Sequence, residues 1–153
     1  MYKFLILYLF LIGCGSEMAS QSLPNKELNE EFKPYYFKFT AIILDVELTI
    51  NKPIKWNKYI GEIKMVDKMS DKIIGLCKIF NETTWEIDIS NNFWVSCDTE
   101  DKKILMYHEL SHCILGLNHS KDSNTYMYPT IFSNIKNADE HVKNYLIDYY
   151  SRM

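Results

Sequence analysis

Hydrophobic and polar positions change period several times along the chain, and each change marks an element. Residues 4–12, "FLILYLFLI", are apolar without a break, and residues 15–31, "GSEMASQSLPNKELNEE", begin small and polar. From there Phe32, Tyr35, Tyr36, Phe39, Ile42, Ile43 and Val46 recur at three- and four-residue steps, the spacing of one helical face. A helix is expected over about 27–48, with Pro34 in its first turn because proline lacks the N–H that later turns need.

The middle of the chain turns to short runs. "EIKMVD" and "KIIGLCKIF" are strand-like, and "TWEIDIS" alternates strictly, with Trp85, Ile87 and Ile89 set against Glu86 and Asp88. Three strands are expected, the last with one wet face and lying at an exposed sheet edge.

Helical spacing returns in residues 97–119. Asp98 or Thr99 can cap a helix whose first turn holds Glu100 and Asp101, the charge a helix N-terminus favours. Met106, Leu110, Cys113, Ile114 and Leu117 form its apolar stripe, and Gly116 supplies its stop. A closing helix follows. Asn137, with Glu140 three residues on, approaches a capping box, and Val142, Tyr145, Leu146 and Tyr149 fall at helical steps. His141 on that helix is expected at the surface. The elements together predict an α+β fold, and 153 residues suffice for one domain with a real core.

With 24% charged and 47% hydrophobic residues the composition is globular, and a formal net charge of −3 gives no basic surface for nucleic acid. A monomer without a nucleic-acid partner is expected. The apolar run after Lys3 is too short for a permanent membrane helix, which needs about 20 residues, and reads as a targeting segment. "LIGC" resembles the lipobox of bacterial lipoproteins. That resemblance implies a signal peptide over 1–13, lipidation of Cys14, a tether over 14–24 and a folded domain over 25–153. It places the protein outside the cytoplasm, anchored by lipid to the outer membrane or cell surface of a bacterium. Cleavage at a later small residue such as Ala19, giving plain secretion, is the alternative. Cys77, Cys97 and Cys113 remain. Cys113 lies on the buried stripe, where a reduced cysteine acts as a small hydrophobe, so a disulfide between Cys77 and Cys97 is expected.

"HELSHCILGLNH", residues 108–119, holds three of the four histidines. His108 and His112 are one turn apart, so both imidazoles project from one helix face and can meet a single ion. Glu109 points aside, where it can reach water beside that ion without ligating it. This is the H-E-x-x-H arrangement of catalytic zinc sites. His119 follows the Gly116 turn, where the chain can double back to supply a third ligand; Asp122 and Glu140 are the other candidates.

That run and "TYMYP" at 125–129 together resemble the metzincin zinc endopeptidases, whose signature H-E-x-x-H-x-x-G-x-x-H is followed by a methionine turn. "HELSHCILG" is also similar to runs in bacterial secreted metalloproteases, which points to a lipoprotein branch. The resemblance implies an N-terminal helix, a small twisted mixed sheet with an edge strand, an active-site helix, a methionine turn and a C-terminal helix. It implies one catalytic zinc on His108, His112 and His119, with Glu109 as general base and Met127 as an apolar floor beneath the metal. Peptide or protein substrates would pair with the edge strand, taken as "TWEIDIS". One feature departs from the signature: Gly116 falls four residues after His112 and His119 seven, each one more than usual. A helix one residue longer, with the loop taking up the difference, would accommodate it. The competing readings are a non-catalytic zinc-binding lipoprotein, a protein-binding domain derived from a protease, and a histidine-rich core without metal. Glu109 favours the enzyme, because a structural zinc closes its four positions with protein ligands and needs no base.

Overall fold

The computed structural model describes residues 28–70, 72–130 and 135–153. The expected signal peptide over 1–13, Cys14, the tether over 14–24 and the domain boundary at 25 lie outside the described residues.

Helix α1 (Lys33–Ile50) buries Tyr36, Phe39, Ile42, Ile43 and Val46, the face its periodicity marks. It begins at Lys33 rather than near 27 because Pro34 belongs in a first turn. Ahead of it, Leu28 and Phe32 are buried in a turn in which the Phe32 N–H donates to the Asn29 carbonyl at 2.9 Å.

Strands β1 (Glu62–Val66), β2 (Gly75–Asn81) and β3 (Thr84–Ser90) form a mixed sheet in the order β1-β3-β2. β1 runs parallel to β3 and β2 antiparallel to it. The alternation in β3 holds, since Trp85, Ile87 and Ile89 are buried. Its expected edge position does not: β3 is central, and β2 is the edge that packs against the helix over Thr99–Leu110. The polar face of β3 misleads because both neighbours neutralise it. Lys64 from β1 lies 2.9 Å from Glu86, and Lys78 from β2 lies 3.1 Å from it. The hydrogen bond from Lys64 is the foremost cause holding the Glu86 carboxyl down to about 2. A central strand with a clamped acidic face has the sequence pattern of an exposed one.

Helix α2 (Asn91–Ser96), which the pattern did not reveal, is capped by Ser90 and buries Trp94 against the rings of Phe32 and Tyr35. Helix α3 (Thr99–Leu110) is capped by Asp98, whose carboxylate accepts the Asp101 N–H at 2.9 Å. It continues as a π-helical turn over Ser111–Leu115 and stops at Gly116, left-handed at φ 66°. Helix α4 (Ala138–Ser151) starts at the expected Asn137 cap. Tyr36 stacks on Trp85 and Phe39 on Tyr107, so α1 ties the sheet to α3. α4 packs against α1 and α3, where Tyr107 donates its hydroxyl hydrogen to Asp139 at 2.7 Å.

The disulfide joins Cys77 to Cys113, not to Cys97, which is a free thiol. The stripe that buries Cys113 faces β2, so burial delivers that thiol to Cys77 instead of isolating it. Cys97 sits at the end of α2, its Sγ near the Trp94 carbonyl.

Candidate metal centre

His108 stands in the last turn of α3 and His112 in the π turn. Each ring is oriented by a carbonyl: His108 Nδ1 donates to Tyr126 O at 2.7 Å, and His112 Nδ1 to Leu117 O at 2.5 Å. Because a carbonyl only accepts, the proton of each neutral ring sits on Nδ1 and the Nε2 lone pair is bare. His108 Nε2 lies 3.1 Å from His112 Nε2 and 3.1 Å from His119 Nε2. The ligand atoms of all three lie within 4.8 Å of one another. Tetrahedral zinc with bonds of about 2.0–2.1 Å separates its nitrogens by roughly 3.3 Å, so the arrangement fits such an ion. Burial lowers the His108 pKa to about 4 and that of His112 in the same direction, which favours the neutral form that ligates.

The extra residue before Gly116 is accommodated in the helix itself. A π turn closes its hydrogen bonds one residue later than an α turn and so stores one residue. The N–H groups of Gly116 and Leu117 both reach the Ser111 carbonyl. The loop after Gly116 therefore keeps its usual length, and His119 returns to the other two histidines. Asp122 and Glu140 do not join them. Asp122 accepts the Asn124 N–H within its own turn, and Glu140 accepts from the Asn137 side chain at the start of α4.

Glu109 is 5% exposed. Its Oε2 accepts the Cys77 N–H at 2.9 Å, and a Cβ at Gly75 would fall 2.6 Å from its Oε1. Burial raises its carboxyl to about 7 against the opposing pull of that N–H; a cation on the histidines would draw it back down. These two β2 contacts escaped the sequence reading. Their signal was Gly75 itself, an isolated glycine in an apolar strand run, which marks close approach of another group.

Met127 is fully buried. Its carbonyl accepts the Ser120 N–H at 2.8 Å, closing the loop that follows His119. Tyr126 orients His108 through its carbonyl and pairs its buried hydroxyl with Ser111 Oγ at 2.7 Å. His141 is half-buried against the Tyr126 ring, not at the surface. A cavity of about 510 Å³ lies between β2, through Gly75, Leu76 and Cys77, and the helix side, through Glu109, His112 and His119.

A buried H-E-x-x-H helix with a third histidine is the equipment of a metallopeptidase, and a family described as "Putative phage metallopeptidase" matches residues 25–145. The chain belongs to this phage metallopeptidase family. No curated protein and no solved structure matches it. Within the matched span lie all three strands, α3, the π turn and the three histidines.

Proposed function

We propose that the protein is a zinc-dependent endopeptidase of the metzincin kind, with His108, His112 and His119 as metal ligands and Glu109 as general base. The observation that carries this reading is the meeting of three imidazole nitrogens, two of them oriented by carbonyls, beside a buried carboxylate. Zinc bound there would supply a Lewis acid and lower the pKa of nearby water. Glu109, held through Oε2 by the Cys77 N–H, can take a proton from water and return it to the departing amine. His108 and His112 keep their orientation through Tyr126 and Leu117. The outer edge of β2, beyond the Cys77 N–H that holds Glu109, is the place for an extended peptide, since backbone pairing binds chains of many sequences; this role passes from "TWEIDIS" to β2.

A lipid-anchored monomer outside the cytoplasm is part of the same proposal. The anchor and the compartment are supported by the leader-like residues 1–13 with Cys14, and the compartment also by the Cys77–Cys113 disulfide, which suits an oxidising environment.

The test is cleavage of a peptide library by wild type and by Glu109→Gln. Chelator-sensitive cleavage in wild type, lost in a variant that still binds zinc, is expected. Equal cleavage by both would remove Glu109 from the reaction, and zinc binding without cleavage by wild type would make the metal structural.

A further inference from the structure

A second cavity, about 870 Å³, opens beside the metal site and shares two of its lining residues, Ile79 and Gly116. Its far wall is the segment 55–59. That wall is fixed by Asn57, whose backbone N–H donates to the Ile114 carbonyl at 2.8 Å and whose side-chain amide donates to the Glu82 carbonyl at 3.1 Å. Trp56, Ile114 and Leu115 give the cavity apolar surface. Lys58 Nζ lies 5.5 Å from the centre of the Trp56 ring. Lys55 and Lys58 are both exposed, and neither forms a salt bridge among the described residues. Glu82 is the single carboxylate in the lining. An excess of positive charge thus borders an aromatic surface, in a chain whose net charge is −3.

The strand sets the distance from the chemistry. The Cys77 N–H marks Glu109, and Ile79 follows two residues later on the same face of β2. At about 3.4 Å per residue the cavity begins roughly 7 Å along the edge. A peptide paired with β2 would bring the side chain two or three residues from its scissile bond to this mouth. Methylene groups lying on Trp56 and a carboxylate reaching the lysines would satisfy both surfaces at once.

We propose, building on the peptidase reading, that this cavity is a substrate subsite selecting a glutamate or aspartate side chain two or three residues from the scissile bond. The experiment uses matched octapeptides carrying Glu, Gln or Lys at successive positions. Binding is read on the zinc-loaded full chain bearing Glu109→Gln, through the indole N–H signal of Trp56; Trp85 and Trp94 are buried elsewhere. Cleavage of the same peptides is read on wild type. The expected result is roughly tenfold tighter binding of Glu over Lys peptides, a shifted Trp56 signal, the same preference in cleavage, and its reversal by Lys55→Glu with Lys58→Glu. Cleavage with no acidic preference at those positions, unmoved by the double variant, would overturn the subsite and leave the peptidase standing. Charge-selective binding at Trp56 with no cleavage would keep the subsite and overturn the peptidase. Neither binding nor cleavage would overturn both.

Discussion

The backbone N–H of Cys77 meets Oε2 of Glu109 at 2.9 Å, so the edge strand grips the metal helix at its one buried carboxylate. The disulfide from Cys77 to Cys113 fastens the same strand residue to the same helix, one turn further on. Glu109 is therefore placed by β2 as much as by its own helix.

Gly75→Ala puts this placement to a direct test. Its Cβ would fall 2.6 Å from Glu109 Oε1 and 2.7 Å from Leu105 Cδ1, so the carboxylate must move. A shift approaching 1 Å costs on the order of a hundredfold in rate. Kinetics and metal analysis should show kcat reduced about that much with zinc content unchanged; an unaltered kcat would mean that Glu109 position is not set by β2.

The disulfide closes 36 residues of sequence separation, for which the chain-entropy account gives about 3–4 kcal/mol. Denaturant unfolding of Cys77→Ala with Cys113→Ala should show a loss of that order. Alkylation of the unreduced, unfolded chain should label Cys97 and spare Cys77 and Cys113; a labelled Cys77 would contradict the pairing.

Ser111→Ala strips a partner from the buried Tyr126 hydroxyl. An unsatisfied buried hydroxyl costs about 1–3 kcal/mol. Adding Tyr126→Phe should recover part of the loss in urea unfolding, because the orphaned group is then gone. Additive losses would show that the two side chains do not act as a pair.

Glu86 offers a pH test away from the metal. Lys64 foremost, together with Lys78, holds its carboxyl at about 2 instead of 4.5. The unfolded chain thus binds more protons between those values, and the contribution is complete above the ordinary value and lost as pH falls toward 2. Wild type should exceed Glu86→Gln in Tm at pH 7, by a margin that narrows near pH 3. A margin constant with pH would exclude this ion cluster as its source.

Helices α1, α3 and α4 were legible because their signals are local, whereas the six residues of α2 were too few to show a period. The apolar face of α1, the Asp98 and Asn137 caps and the Gly116 stop each lie within a few residues of what they determine. The histidine set was legible for the same reason. Strand order was not, because alternation reports which face is wet and not which edge is free; Lys64 and Lys78 cover Glu86 from neighbours distant in sequence. The cysteine pairing failed on an assumption that a buried helix stripe keeps a thiol alone, when that stripe faced β2. The extra residue before Gly116 was visible, but its storage as a π turn depends on Ser111 taking two N–H groups, which spacing does not disclose.

The most direct measurement is zinc stoichiometry by elemental analysis of wild type and His119→Ala after identical loading and desalting. One zinc per wild-type chain, with clear loss in His119→Ala, is the predicted result. Equal zinc in the two proteins, or none in wild type, would contradict a centre built on His108, His112 and His119.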